Sequence, residues 1–157
     1  MQALQDAWLE ATCYGCGPGN PDGLHIKSFW DATGQFVVAT FQPHSKYNAG
    51  FENVMYGGLV ASLIDCHSIW TAIAFSYKAE NRPHGSLPAI SFVTGSLCVK
   101  YLKPTPLDQP IQLKAWVDGE VGRKTKILCE LGVGDQVTAS AEVVAVRINL
   151  DKSVGAS

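Results

Sequence analysis

The chain has 157 residues, of which 46% are hydrophobic and 17% charged, and a formal net charge of −2. A single domain of this size buries roughly two thirds of the surface its unfolded chain exposes, so no metal or disulfide staple is required. The balance excludes a disordered or strongly basic protein, and nucleic acid is not an expected partner.

The N-terminal stretch "MQALQDAWLEATCYGCG" has no basic start followed by a continuous apolar run, hence no secretory signature. A reducing cytoplasm is the expected compartment, with the five cysteines as mostly free thiols. Gln2 to Ala11 carries apolar residues at helical spacing and predicts a short helix. Cys13 and Cys16 in "CYGCG" have metal or redox spacing, but a zinc site needs about four ligands and no second close Cys/His pair follows. Cys66, Cys98 and Cys129 could join such a site only through the fold. The favoured reading is a turn closed by Gly15 and Gly17, in an N-terminal segment running to residue 23.

Two strands are predicted at about 24–31 and 35–43, joined at the turn "DATGQ", and "PHSKYNAGFENV" reads as a polar loop. From Gly57 to about Ala79 the pattern turns helical, a length of roughly 33 Å. Leu59, Leu63, Trp70, Ala74 and Tyr77 form a bulky face. Gly58, Ala61, Ser62, Asp65, Ser68, Ile69, Ala72 and Ser76 form a small, partly polar one. Leu59 to Tyr77 is apolar enough to suggest a membrane span, but Asp65, His67 and four hydroxyl residues favour a buried core helix, and no membrane partner is expected. His67 reads as a satisfied core histidine. Phe51, Trp70, Phe75 and Phe92 could line a pocket, and core is the favoured place for each.

After "ENRPHGSLP" the chain alternates with period two. Val93, Leu97, Val99 and Tyr101 share one parity, Ile111 to Val117 follow, then Ile127 to Val133 and Val137 to Ala145. Short links rich in turn residues predict that neighbouring strands pair antiparallel. The class is therefore α+β: a strand pair, one long helix and a four-strand meander that wraps it, within a core of residues 24–148. Residues 149–157, with "DKSVGAS", read as a frayed tail.

Order and motifs together resemble the hotdog fold, specifically the PaaI-like acyl-CoA thioesterases. The resemblance rests on "CYGCGPGNPDGL", "VMYGGLVASLID", "VKYLKPTPL" and "GRKTKI", in that order. It implies a curved antiparallel sheet around one central helix and hydrolysis of an acyl-CoA or related thioester. It also implies a homodimer or homotetramer with sites at the subunit interface, and no cofactor or metal. The family's helix-start signature is His-Gly-Gly with an acidic residue nine positions after the histidine. Here Tyr56 stands in the histidine position, Gly57 and Gly58 match, and Asp65 takes the acidic position.

The resemblance further implies that Gly57 and Gly58 let a thioester approach bare helix amides, while Asp65 acts as a general base or as a nucleophile. Thr94 matches the residue that assists the attacking water; its parity is opposite to that of Val93, Leu97 and Val99, so it need not be buried against its own helix, and in hotdog dimers that residue can serve the partner's site. Tyr56 could donate through its hydroxyl. Relatives carry an asparagine six positions before the histidine, where this chain has Gly50; Asn48 and Asn53 are the nearby substitutes for substrate binding. Arg123 and Lys124 resemble the family's phosphate-contacting pair, the alternative being a solvated strand edge. The competing functional reading is a non-catalytic acyl-CoA-binding or regulatory hotdog protein. A hotdog hydratase fits less well, because the Asp and His pair of that chemistry is missing.

Overall fold

A computed structural model describes residues 1–150. Of the expected tail at 149–157, residues 151–157 lie outside the described residues. Strands β1 (Ser28–Trp30) and β2 (Val37–Phe41) precede the helix α1 (Gly57–Ala79), and β3 (Ser91–Tyr101), β4 (Ile111–Val117), β5 (Lys124–Val133) and β6 (Gln136–Ile148) follow it. All six strands form one sheet in the order β1-β2-β4-β5-β6-β3, every neighbouring pair antiparallel. With α1 laid across it, this is the hotdog fold.

Alternation decides which face of the sheet meets the helix. The register aligns Val37, Ala115, Cys129 and Ala141 in one cross-strand row and Ala39, Leu113, Leu131 and Ala139 in the next, and all eight are buried. Alanines in these rows let the helix come close, and His67 reaches the Val37 carbonyl of β2. Leu59, Leu63, Trp70, Ala74 and Tyr77 are all buried, but not all against the sheet: Trp70 meets Trp8 and donates to Cys16, and Tyr77 meets His84 and donates to the Ser86 carbonyl. The small face divides: Ser68, Ala72 and Ser76 are buried, whereas Gly58 is exposed and Ala61, Ser62, Asp65 and Ile69 are half-buried along one stripe. The helix that resembles a membrane span in composition is thus the core helix of the domain.

Several expectations change. The N-terminal helix shrinks to a 3₁₀ turn, Leu4–Ala7, because Gln5 turns inward and exchanges hydrogen bonds with Ser28 instead of continuing a helical face. The first strand begins four residues late, after His25 adopts a left-handed backbone with φ 53°. The polar loop contains a second 3₁₀ turn, Ser45–Tyr47. The four-strand meander is in fact a three-strand meander, β4-β5-β6, with β3 returning to pair with β6 at the sheet edge. The link from Leu102 to Pro110 holds Pro104, Pro106 and Pro110, too long and too rigid for a hairpin turn between β3 and β4.

His67 is wholly buried and satisfied. Its Nε2–H donates to the Val37 carbonyl at 3.1 Å, and Nδ1 accepts from the Ser28 hydroxyl at 2.8 Å. Ser28 Oγ in turn accepts from Gln5 Nε2 at 3.0 Å. Burial pushes the imidazole pKa down to about 4, against a smaller upward pull from the Val37 carbonyl. Of the four aromatics placed in the core, Trp70 and Phe92 are buried and Phe75 packs against Trp30, but Phe51 is 72% exposed.

Candidate active site

The site is built where the loop before α1, the first turn of α1 and the inner face of β3 meet. Tyr56 is the N-cap residue, with extended backbone and no side-chain capping bond. The first helical hydrogen bonds run from Leu59 and Val60 back to the Tyr56 carbonyl. Consequently the N–H groups of Gly57 and Gly58 have no acceptor among the described residues, and they carry the positive end of a 23-residue helix dipole.

A side chain at either glycine would press on a tyrosine ring. A Cβ on Gly58 would lie 2.6 Å from Cε2 of Tyr56, whose ring crosses it, and one on Gly57 would lie 3.3 Å from the Tyr101 ring. Tyr101 donates its hydroxyl to the Gly57 carbonyl at 2.6 Å and so fixes the first turn against β3. Beside them opens a cleft of about 610 Å³ whose walls include Phe51, Val54, Gly57, Val60, Tyr101 and Leu102. Exposed Phe51 thus belongs to a cleft wall rather than to the core.

Asp65 is half-buried two turns along the open stripe, and its Oδ1 accepts a hydrogen bond of 2.5 Å from the Thr94 hydroxyl. The sequence put Thr94 on the opposite parity to Leu97 and Val99, and here the structure corrects the parity. A β-bulge between Thr94 and Ser96, at Gly95, takes up one extra residue. Past it, Leu97, Val99 and Tyr101 stand opposite Val143, Ala141 and Ala139, and before it Thr94 stands opposite Ala145, so all four face the helix. A Cβ on Gly95 would meet Val146 Cγ2 at 2.7 Å, which leaves the bulge to glycine.

Asn53 is not gathered to this cluster. Its backbone is left-handed, with φ 55°, its Oδ1 accepts from Leu107 N at 2.9 Å, and it lines a separate cavity with Asn48 and Gly50. Asn48 Oδ1 is likewise taken by the Gly50 amide. Both asparagines shape the loop ahead of the helix, a role the sequence spacing did not separate from substrate contact.

Arg123 and Lys124 are exposed and form no ion pair among the described residues. Lys124 lies in register with Val146 and Val93, so the pair sits two strand spacings, about 10 Å, from the Thr94 end of β3. The other cations of this region are partly engaged: Lys126 pairs with Asp118 and Glu142, and Lys114 lies over the Phe36 ring.

A group the sequence left open also comes together here. Cys66, the residue after Asp65, brings its sulfur within 3.7 Å of Cys13. Hydrogen bonding across that contact holds the Cys13 thiol well below its usual value and the Cys66 thiol above it.

No protein-family model and no curated protein matches the sequence. Solved structures do. A thioesterase superfamily protein from Shewanella loihica is 32% identical, with 92% of this chain and 99% of that one covered and a TM-score of 0.66. A thioesterase from Haemophilus influenzae is 12% identical, covering 83% of this chain and 82% of its own, at TM-score 0.66. The E. coli PaaI protein of the phenylacetic acid degradation operon is 16% identical over 73% of each chain, at TM-score 0.59. The last two share the fold; the identity and near-complete coverage of the first show the family, and the chain belongs to the hotdog-fold thioesterase superfamily.

Proposed function

We propose that this protein hydrolyses an acyl-CoA or a related acyl thioester to the free acid and the thiol. The observation that carries the reading is the pair of acceptor-free amides at Gly57 and Gly58, opening on an apolar cleft, with Asp65 and Thr94 on the same exposed side of the helix. The thioester carbonyl would lie on those amides, which stabilise the oxyanion that forms when water attacks. Asp65 takes the proton of that water, or adds to the carbonyl itself, with Thr94 orienting the carboxylate; the tetrahedral intermediate expels the thiolate, and on the second route water then cleaves the resulting mixed anhydride to the free acid and restores Asp65.

One protomer does not complete this arrangement. Eight residues separate Gly57 from Asp65, about 12 Å along the axis, whereas one carbonyl must be within about 3 Å of both its donor and its nucleophile. The stripe of Gly58, Ala61, Ser62 and Asp65 is narrow enough for a second helix to pack against it. A two-fold axis near Ala61 would set Gly57 of one protomer opposite Asp65 of its partner. The working unit in this reading is therefore a homodimer, or a tetramer of such dimers, with both sites at the interface.

The decisive assay offers acyl-CoAs of graded chain length and follows thiol release. Steady turnover with any of them supports hydrolysis, and a rise in Tm on acyl-CoA binding without release would overturn it. That outcome is the second reading, a binding or regulatory protein, favoured by Tyr56 at the family's histidine position with its ring laid over Gly58. Thr94→Val, which removes the hydroxyl but keeps the shape, is expected to lower kcat about tenfold with little change in KM; an unchanged kcat would leave Thr94 a purely structural contact. Arg123→Ala is expected to raise KM for acyl-CoA several-fold and to spare a short pantetheine thioester, because only the former carries the nucleotide phosphates. Equal losses on both substrates would remove Arg123 from substrate binding.

A further inference from the structure

The thioesterase reading leaves one cluster of reactive groups unused. The loop carrying Cys13 and Cys16 folds back on α1 beside Cys66, and the three sulfurs lie within 4.8 Å of one another. We propose that Cys13, Cys16 and Cys66 bind a zinc ion through three sulfurs, with the fourth coordination position left to an external ligand on the exposed Cys13 side.

The spacing is that of ligands. Zinc bound tetrahedrally at about 2.3 Å from sulfur places its sulfurs about 3.8 Å apart, and Cys13 and Cys66 already stand 3.7 Å apart. A disulfide would require them to close to about 2.05 Å.

The loop is shaped to hold that spacing. A Cβ on Gly15 would fall 2.3 Å from the Cys66 sulfur, and one on Gly17 would fall 2.4 Å from backbone atoms of Ala11 and Cys13, so both glycines let the loop close down on the helix. The Gly17 amide donates to the Cys13 carbonyl at 2.8 Å and closes the turn.

A polar hydrogen also points at sulfur. The indole Nε1–H of Trp70 donates to Cys16 Sγ at 3.2 Å in a buried setting. Donors around sulfur spread the negative charge that metal-bound thiolates carry and fix their direction. Zinc there would fasten the N-terminal loop to the middle of α1, at the residue after Asp65, whether or not the protein is an enzyme.

The test uses the full chain produced in zinc-supplemented medium, purified with a phosphine reductant and analysed for metal. About one zinc per chain is expected, retained in Cys98→Ser and lost in Cys66→Ser. In the wild type, a chelator should free three thiols to a colorimetric thiol reagent. Cobalt(II) refilling should give the intense visible bands of a tetrahedral thiolate site, a readout that needs no variant to fold. Metal-free protein in which chelator frees no further thiol, a copper(I) ion instead of zinc, or a Cys13–Cys66 disulfide under the same reductant would each overturn the assignment.

Discussion

Asp65→Asn is expected to keep the fold and lower kcat on its best acyl-CoA by about 10²–10⁴-fold, the range that a positioned acid or base contributes. The substitution is close to isosteric, and the Thr94 hydroxyl that donates to Asp65 Oδ1 can donate equally to an asparagine Oδ1. Asp65 is half-buried on the open stripe of α1, so no core contact is lost and Tm should stay within a few degrees. What disappears is a group able to take a proton from water or to attack a carbonyl. KM should change little, because in the proposed reaction the acyl group and nucleotide would be held by other residues, and a fall in kcat at constant KM is the mark of an interaction made in the transition state. Solvent oxygen-18 appearing in the Asp65 carboxylate during turnover would identify the nucleophilic route. Undiminished turnover in the variant, at matched dimer content, would remove Asp65 from the mechanism.

The helix and its two glycines were legible because one local code governs them: a 3.6-residue period, glycines at the first turn and the break at "ENRPHGSLP" give the bounds Gly57–Ala79 that the structure also shows. The later strands were legible for the same reason, with period two in place of 3.6. The sequence was silent where one residue overrides a period or where distant segments meet. Gly95 inserts a bulge that reverses the parity of everything before it, so Thr94 reaches Asp65; an unneeded glycine inside a strand was the available signal. The pairing of β3 with β6 depends on a loop closure that alternation does not encode. Cys66 lies fifty residues beyond Cys16, and only the return of the N-terminal loop onto α1 makes it a neighbour of the pair. Asn53 was illegible for a further reason: proximity in sequence to Gly57 did not show that its Oδ1 accepts from the Leu107 amide.

Acidification should weaken this protein before its carboxylates are titrated, and His67 is the cause. Its folded pKa is near 4 and its unfolded value near 6.5, so between those two values the unfolded chain binds the additional proton. Stability from this group is fully present above about pH 6.5, falls as pH drops through that window, and changes no further below about pH 4. Two to three pH units of difference amount to roughly 3 kcal/mol, a large share of the 5–15 kcal/mol typical of a domain. The structural cost is concrete: a protonated Nδ1 can no longer accept from Ser28, so the Gln5–Ser28–His67 chain that ties the N-terminal turn and β1 to α1 must break or reverse. Urea midpoints measured at pH 7.0, 5.5 and 4.0 should fall steeply in the wild type. His67→Gln, which retains one donor and one acceptor but does not titrate, should start less stable at pH 7.0 and show a slope shallower by that same amount. Parallel slopes in the two proteins would mean that His67 is already charged in the fold, or that the network yields without cost, and the acid sensitivity would have to come from the carboxylates instead.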